Sequence, residues 1–306
     1  MFQKNIHLSE FSSYKIGGVA REFFVPTNKA ELIEGVTEAS KKKEPFFVLG
    51  GGTNVLFSDE GFSGLVIHPV MKKVQVSGET ITAETGLLMS DLLAVTIEAG
   101  LSGLEWAGGL PGTLGGAVRG NAGAFGGEMK DNVVSVESIT TEGMTQKREN
   151  KNCVFAYRSS FFKTIQEPEI ITSVTFLLTP GDKGEIKSLI QEKIDYRNER
   201  HPMEYPNVGS VFKNIDARKM SASVLAPFNK VIKDDPFPVI PVAYLISEAG
   251  LKGVSFGGAM ISPKHPNFIV NVLGATECDV AHLISLAKTV IVEKFGIKLE
   301  EEVMRV

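Results

Sequence analysis

The chain has 306 residues, 43% of them hydrophobic and 22% charged, which is the composition of an ordinary globular protein with room for two or three domains. Its net charge of −4 gives no reason to expect nucleic acid or an anionic membrane as a partner. The sequence has no apolar run of the roughly 20 residues that span a bilayer, and its first residues contain no apolar stretch, so we expect no secretory signal. Cys153 and Cys278 predict neither a disulfide framework nor a thiolate metal site, so we expect a cytoplasmic protein without a bound metal.

The N-terminal part begins with a helix, a strand and a hairpin. Asn28 and Glu31 have the spacing of a capping box, which predicts a helix start. Residues 46–49 form an apolar run that predicts a short buried strand, and this strand leads directly into a glycine tract at residues 50–54. A two-residue turn at residues 77–78, between alternating apolar residues, predicts a β-hairpin.

The middle of the chain adds a helix, a second glycine tract and two strands. We expect Ser90 to cap a helix that ends at Gly100, because glycine is the usual left-handed residue after a helix. The second glycine tract covers residues 108–127. Strands are predicted at residues 133–139 and 170–178.

The C-terminal part again alternates helices and strands. A helix begins near Asp182, and the turn-prone residues 201–207 indicate a domain boundary. A helix at residues 242–249, a strand at residues 268–272 and a long helix after Thr276 follow. Helices and short strands interleave without an internal repeat, so the predicted class is α+β.

The first glycine tract is suited to anion binding. Successive glycines allow positive φ, and their amides can then point into one concavity that accepts an anion. A dinucleotide fingerprint of the Rossmann type is disfavoured, because no long helix follows residues 50–54. A phosphate loop of the ATPase type is disfavoured, because the tract has no lysine. For one tract alone, a simple turn after a strand explains the glycines equally well.

Two glycine tracts together favour an extended diphosphate cofactor held from both sides, although glycine packing between crossing elements is the alternative. Residues 48–56, 109–113 and 121–126 resemble the FAD-binding loops of the UDP-N-acetylenolpyruvoylglucosamine reductase family, and Gly17 and Gly18 match its N-terminal turn. The resemblance implies a vanillyl-alcohol-oxidase-type FAD-binding fold of two subdomains. We expect the FAD to be noncovalent, since neither tract contains histidine or cysteine. The expected cofactor-binding residues are Gly50, Gly51, Gly52, Thr53, Asn54, Gly109, Pro111, Gly112, Thr113, Gly116, Asn121 and Gly123.

Three further segments extend the resemblance. Residues 155–161 resemble the family's Tyr-Arg-x-Ser segment, residues 207–214 its Gly-Ser-x-Phe-Lys-Asn segment, and residues 299–303 its Leu-Glu-x-Glu-Val segment. The family reduces a UDP-sugar enolpyruvyl ether with NADPH through FAD. The resemblance therefore assigns the catalytic roles to Arg158, Ser210 and Glu302.

Each role has a chemical reason. Hydride addition to the enolpyruvyl group leaves negative charge next to its carboxylate, and the Arg158 guanidinium can stabilise that charge. Ser210 is the general acid that protonates C2, and Glu302 binds the carboxylate or orients the acid. Without the family match, an isolated arginine, a Gly-Ser turn and a solvated glutamate run are the more common interpretations. Three adjacent glutamates also allow Glu300 or Glu301 to take the place of Glu302.

The resemblance also implies domains and partners. We expect residues 1–70 to form the first FAD-binding subdomain, joined at the active site by residues 296–306. Residues 71–198 are expected to form the second subdomain, and residues 199–295 an α+β substrate-binding domain. The absence of a long insertion matches the shorter class of the family, without an extra substrate-covering loop. Expected substrate-binding residues are Tyr157, Arg200, Lys213 and Asn214.

The predicted function is NADPH-dependent reduction of UDP-N-acetylglucosamine enolpyruvate to UDP-N-acetylmuramate by a cytoplasmic monomer in peptidoglycan precursor synthesis. A related FAD oxidase or dehydrogenase of another small substrate remains the alternative. One departure weakens the C-terminal match, because Met304 stands where the family often has arginine.

Overall fold

A computed structural model of the chain describes residues 2–306. Within this range no helix is long and apolar enough to cross a bilayer. The helices are α1 Lys29–Lys42, α2 Met89–Ala99, α3 Leu114–Arg119, α4 Phe161–Thr164, α5 Lys183–Arg200, α6 Ala222–Leu225, α7 Val242–Glu248 and α8 Glu277–Phe295. The strands are β1 Phe2–His7, β2 Val19–Phe24, β3 Phe46–Val48, β4 Val55–Leu56, β5 Phe62–Ile67, β6 Val74–Ser77, β7 Thr80–Glu84, β8 Leu101–Ser102, β9 Gly123–Ala124, β10 Gly127–Glu128, β11 Val133–Ile139, β12 Thr145–Glu149, β13 Ile170–Leu177, β14 Thr179–Pro180, β15 Ile215–Asp216, β16 Lys233–Asp234, β17 Pro238–Ile240, β18 Ser255–Phe256, β19 Ala259–Ile261, β20 Ile269–Asn271 and β21 Met304–Arg305.

The chain divides into two compact units. The first contains the residues up to Ile6, Ala20–Gly51 and Phe62–Tyr196, and the second contains His7–Val19, Gly52–Gly61 and Arg197–Val306. The final change from the first unit to the second lies within α5, just before the turn that the sequence indicated as a boundary. The division into three domains remains a prediction.

The first unit begins with a sheet of strand order β1-β2-β5-β3, in which β5 runs parallel to both β2 and β3. Helix α1 covers this sheet, and its buried Leu32 lies in one apolar cluster with Phe24 and Leu65. The predicted helix start is confirmed, because the Glu31 amide donates to the Asn28 side chain at 3.0 Å. The predicted strand at residues 46–49 is confirmed as β3.

A second sheet of the first unit has strand order β12-β11-β13-β7-β6 and is antiparallel throughout. It confirms the hairpin β6–β7 and the predicted strands at residues 133–139 and 170–178. Alternate residues of β13, such as Val174 and Phe176, are fully buried against α2 and α3 in the unit's main apolar core. This period-two burial is what the hydrophobic pattern of the strand predicts.

The predicted capping of α2 by Ser90 is wrong, although Gly100 ends the helix in the left-handed conformation as expected. The helix begins at Met89, after Leu88, and no side chain caps it. Backbone contacts take the place of a cap: the Met89 amide donates to the Gly112 carbonyl oxygen at 3.0 Å. Because this donor is already satisfied, the helix start needs no hydroxyl before it.

The second unit contains two three-stranded antiparallel sheets, β15-β17-β16 and β18-β19-β20, and a parallel pair of β4 and β21. Helices α7 and α8 supply its apolar core, which includes the fully buried Leu245, Leu283 and Ile284. The predicted α8 is confirmed, with a capping box at Thr276 and a left-handed stop at Gly296. The predicted strand at residues 268–272 is confirmed as β20.

Candidate functional site

In the first unit the two glycine tracts pack directly against each other. A Cβ atom on Gly51 would lie 2.6 Å from the Gly112 Cα atom, and one on Gly50 would lie 2.6 Å from the Thr113 hydroxyl. Both distances are shorter than any normal contact, so packing between the tracts accounts for these two glycines. At these two positions the glycines serve the packing that was the alternative, and a cofactor held between the tracts stays a prediction.

A cavity of about 210 Å³ lies beside this contact. Typical sites for small molecules measure roughly 300–1,000 Å³, so the cavity accommodates part of an extended dinucleotide rather than all of it. Its walls come from the strand before the first tract, the start of α3 and the segment around α4. The lining residues are Phe46, Phe47, Val48, Leu49, Gly50, Pro69, Thr85, Thr113, Gly115, Gly116, Arg119, Phe162, Lys163, Ile165, Pro168, Glu169, Ile170 and Ile171.

Gly116 differs from the other glycines in this wall. It lies inside α3, where glycine costs about 1 kcal/mol relative to alanine. A Cβ atom at Gly116 would meet only the Thr113 hydroxyl, at 3.6 Å, which is an ordinary contact. Contacts within the protein therefore do not explain why position 116 is glycine rather than a larger residue. Close approach of a ligand would explain it.

The charged groups of the cavity favour an anion. Arg119 and Lys163 line it, and burial lowers the pKa of the Arg119 guanidinium. Burial alone would raise the pKa of Glu169, but hydrogen bonds from Arg148 and Ser138 outweigh this and hold it below its usual range. Because Arg148 neutralises Glu169, the positive charges of Arg119 and Lys163 dominate the cavity.

Arg158 binds the second glycine tract. Its Nη2 atom donates to the Gly123 carbonyl oxygen at 2.8 Å, and its guanidinium lies 4.9 Å from the Tyr157 ring centre. The Asn121 side-chain nitrogen donates to the Ala156 carbonyl oxygen at 3.0 Å, so two bonds join the tract to this segment. The structure therefore brings together four residues that the sequence singled out.

Backbone strain is concentrated in the same segments. Arg158 has a φ of 54°, and Asn121, Phe125 and Val154 also have positive φ. Left-handed backbone costs a non-glycine residue of order 1–3 kcal/mol, and it occurs preferentially at binding and catalytic sites. The strain at Arg158 supports its selection as a functional residue.

In the second unit, hydrogen bonds organise the segment that carries Ser210. The Gly209 amide donates to the Asn207 side-chain oxygen at 3.0 Å, and Gly209 has a φ of 81°, which favours glycine. The Ser13 hydroxyl donates to the Asn207 carbonyl oxygen at 2.7 Å. Ser210 thus follows a turn with a fixed backbone and is itself half-buried.

The C-terminal segment pairs with the residues that follow Ser210. The Glu302 amide donates to the Val211 carbonyl oxygen at 2.8 Å, and the Lys213 amide donates to the Glu300 carbonyl oxygen at 3.0 Å. The Asn54 side chain donates to the Glu302 carbonyl oxygen at 3.1 Å. Asn54, Glu302 and the Ser210 segment are therefore neighbours within the second unit.

The three adjacent glutamates have different surroundings. Glu300 forms an ion pair with Lys213 and is largely exposed. Glu301 forms ion pairs with Lys288 and Arg305. Burial opposes ionisation of Glu301, but these partners outweigh it and hold the pKa of Glu301 below its usual range. Glu300 and Glu301 are therefore both engaged with cations.

The other predicted substrate-binding residues have mixed surroundings. Asn214 accepts a 3.1 Å hydrogen bond from the Val242 amide, so its carbonyl oxygen holds the start of α7. Arg200 is exposed in the last turn of α5. Arg200 and Ser210 belong to the second unit, whereas Tyr157 and Arg158 belong to the first.

Sequence reasoning missed Arg119 and Lys163 as cavity residues. Arg119 is the only positively charged residue in the second glycine tract, and Lys130 is the next one along the chain. A single cation inside a tract expected to bind a diphosphate could have identified Arg119 from the sequence. Lys163 gave no such signal, because only the fold brings α4 to the cavity wall.

Comparison with known proteins decides the family. The model of the C-terminal domain of UDP-N-acetylenolpyruvoylglucosamine reductase matches residues 201–306, and that of an FAD binding domain matches residues 20–148. The UDP-N-acetylenolpyruvoylglucosamine reductase of Carboxydothermus hydrogenoformans is 38% identical over 302 residues, which cover 98% of this chain and 92% of that protein. The one of Caldanaerobacter subterraneus subsp. tengcongensis is also 38% identical, over 98% and 91% of the two chains. This chain belongs to the UDP-N-acetylenolpyruvoylglucosamine reductase family.

A solved member of the family has the same fold. The crystal structure of the reductase from Thermus caldophilus has a TM-score of 0.78 and 30% identity to this chain, with 100% and 99% of the two chains covered. The resemblance and the α+β FAD-binding fold that the sequence predicted are confirmed. FAD is the cofactor that this fold serves.

Proposed function

We propose that this chain reduces UDP-N-acetylglucosamine enolpyruvate to UDP-N-acetylmuramate with NADPH, as a step of peptidoglycan precursor synthesis. Its identity to family reductases over 98% of its length carries this proposal. When bound, FAD would supply the redox chemistry, through which a hydride from NADPH passes to the enolpyruvyl double bond. The chain's own residues must therefore bind the two ligands, stabilise the developing charge and provide a proton.

The residues of the first unit fit an FAD diphosphate and its neighbouring groups. The uncrowded Gly116 leaves room for close approach of a ligand, and Arg119 and Lys163 offer positive charge. The predicted cofactor-binding residues of the two glycine tracts, among them Gly50 and Thr113, would supply backbone amides to the same cofactor. This set is noncovalent, because the cavity lining contains neither cysteine nor histidine.

Arg158 would stabilise the substrate as it accepts the hydride. Addition at C3 of the enolpyruvyl group places negative charge on C2 and on the adjacent carboxylate. A guanidinium can bind that carboxylate through two parallel hydrogen bonds, which strengthen as charge builds up. Its left-handed backbone fixes the base of this side chain, and the bond from Nη2 to the Gly123 carbonyl oxygen orients the guanidinium.

Ser210 would complete the reaction by donating its hydroxyl proton to C2, so that one hydride and one proton are added across the double bond. Glu302 would either donate a hydrogen bond, in its protonated form, to the substrate carboxylate or orient Ser210, and its backbone amide is bonded to Val211, the residue after Ser210. Lys213, Arg200, Tyr157 and Asn214 remain proposed contacts of the UDP-sugar. We further propose that the enzyme works as a monomer in the cytoplasm and, through the cell wall, supports cell shape and division.

One experiment separates this function from the alternative of an FAD oxidase acting on another substrate. The purified protein should show flavin absorbance near roughly 450 nm that NADPH bleaches in the absence of oxygen. Addition of UDP-N-acetylglucosamine enolpyruvate should restore the absorbance and yield a product heavier by one hydride and one proton. A flavin that NADPH reduces but only oxygen reoxidises would support the oxidase and contradict the proposal.

A further inference from the structure

Asn267 holds the backbone that follows Ser210. The Asn267 side-chain oxygen accepts the Phe212 amide hydrogen at 3.1 Å, and its side-chain nitrogen donates to the Phe212 carbonyl oxygen at 2.8 Å. The Asn267 carbonyl oxygen also accepts the Val211 amide at 2.8 Å. One residue therefore satisfies three backbone groups of Val211 and Phe212.

The support behind Asn267 is rigid. It lies in the short connection between β19 and β20, where the Phe268 amide donates to the His265 carbonyl oxygen at 2.9 Å and the Ser262 amide donates to the Phe268 carbonyl oxygen at 2.8 Å. Asn267 is 3% exposed and Phe212 is 1% exposed, so water cannot replace the bonds between them. A buried amide that loses its partner is not satisfied elsewhere without movement of the backbone.

Ser210 stands at the edge of this arrangement. Val211, the next residue, donates its amide to Asn267 and accepts the Glu302 amide at its carbonyl oxygen. The peptide unit next to Ser210 is thereby clamped between the β19–β20 connection and the C-terminal segment. A misplacement of about 1 Å in a catalytic group can reduce the rate about 10²-fold. The clamp therefore fixes the backbone that follows directly after Ser210.

We propose that Asn267 is a positioning residue that fixes Ser210 for proton delivery to C2 of the substrate. This inference rests on the proposed function, in which Ser210 is the general acid. Asn267 acts through the backbone of Val211 and Phe212 rather than by contact with the substrate. Its loss should therefore impair protonation of the substrate and leave flavin reduction by NADPH intact.

The chain offers a matched control in Asn271. This asparagine is also buried, at 8% exposure, and also binds backbone groups through both side-chain atoms. Its nitrogen donates to the Tyr14 carbonyl oxygen at 3.0 Å, and its oxygen accepts the Ala275 amide at 2.8 Å. Asn271 contributes to the fold of the same unit without a bond to residues 210–213.

The test compares Asn267→Ala and Asn271→Ala in the FAD-loaded enzyme by anaerobic stopped flow. Asn267→Ala should slow reoxidation by the enolpyruvyl substrate about 10–100-fold at unchanged NADPH reduction, with a larger solvent deuterium isotope effect on reoxidation. Asn271→Ala should leave both half-reactions near normal, even if both variants lose similar thermal stability. If Asn267→Ala does not fold, Asn267→Asp keeps the acceptor for the Phe212 amide and should show a smaller defect of the same kind.

Equal slowing of both half-reactions in the Asn267 variants, or normal reoxidation, would overturn the positioning role. Ser210→Ala is measured in parallel, so that a failure of the inference about Asn267 can be distinguished from a failure of the proposed function. A slow Ser210→Ala beside a normal Asn267 variant rejects only the inference about Asn267. Normal reoxidation by Ser210→Ala rejects the general acid itself.

Discussion

The amide of Glu302 donates a 2.8 Å hydrogen bond to the carbonyl oxygen of Val211, the residue after Ser210. This bond pairs the C-terminal glutamate run with the segment that carries the proposed acid. We predict that Glu302→Gln lowers the turnover number by at least roughly 10²-fold, because a carboxylate is needed at that position. Steady-state kinetics on the purified variant measure this directly.

The neighbouring glutamates are the controls for that variant. Glu300→Gln removes an exposed ion pair with Lys213, and Glu301→Gln leaves Lys288 and Arg305 without their carboxylate. Neither should change turnover by more than a few-fold, and Glu301→Gln should lower the unfolding free energy by up to about 1 kcal/mol. A large loss of turnover in Glu301→Gln, together with normal turnover in Glu302→Gln, would mean that Glu301 takes the place assigned to Glu302.

A second prediction concerns the cavity wall at Gly116. Gly116→Val should weaken FAD binding at least about tenfold, since overpacking a filled site costs about 1–3 kcal/mol. The apoprotein should remain folded, because a Cβ atom there meets no crowded neighbour. Fluorescence titration with FAD gives the dissociation constant. Gly184→Val, at an exposed helical glycine of α5, controls for the effect of valine on a helix.

Full FAD affinity in Gly116→Val would show that no part of the cofactor approaches this wall. Gly51→Val is a poorer test, although Gly51 is also among the expected cofactor-binding residues. Its side chain would collide with Gly112 whether or not a ligand is bound. Loss of FAD in that variant would therefore report loop packing as well as cofactor contact.

A third prediction concerns pH and the histidine pair of the second unit. The His201 and His265 rings lie 5.2 Å apart. The pKa of each is lowered to about 4, mainly by burial, and at His201 the charges of His265, Arg197 and Lys264 contribute to this shift. An unfolded histidine has a pKa near 6.5, so between pH 6.5 and 4 the unfolded chain binds more protons than the folded one. Stability should therefore fall as the pH decreases through this window.

His265→Phe should reduce that loss of stability. Phenylalanine does not titrate, and it can keep the edge contact with Phe268, whose ring centre lies 4.8 Å away. The Nδ1 atom of His265 is buried without a hydrogen-bond partner among residues 2–306, so the substitution gives up no bond there. Urea unfolding at pH 8 and pH 5 measures the difference. An unchanged difference between the two pH values would exclude His265 as its source.

A fourth prediction concerns the order of ligand binding. NADPH and the enolpyruvyl substrate must both reach the same flavin, so we expect them to use one pocket in turn. Double-reciprocal plots at several fixed substrate concentrations should give parallel lines, with inhibition at high concentrations of either ligand. Intersecting lines would indicate a ternary complex and a separate NADPH site.

The sequence was sufficient for what depends on local pattern. Asn28 starts α1 and Gly100 ends α2 as predicted, because caps and left-handed stops are set by neighbouring residues. The Ser90 prediction failed because a partner distant in sequence, Gly112, satisfied the backbone at the helix start. Local pattern cannot anticipate such a partner.

In the candidate site, too, some residues could be identified from the sequence and others only from the structure. Motif resemblance identified Arg158 and Ser210, but no short-range signal identified Asn267, which lies 55 positions from Phe212 in sequence. Lys163 joined the cavity only because the fold brings α4 to the wall that contains Gly50. Roles that arise from contacts between distant segments need the three-dimensional structure.

The most direct test of the proposed chemistry is the Ser210→Ala variant, followed by anaerobic stopped flow in two separate half-reactions. Reduction of its flavin by NADPH should proceed at nearly the normal rate, because no substrate proton is needed there. Reoxidation by the enolpyruvyl substrate should slow by roughly 10²–10⁴-fold, the contribution of a positioned general acid. Equal slowing of both steps, or reoxidation at the normal rate with FAD retained, would contradict the assignment of Ser210 as the proton donor.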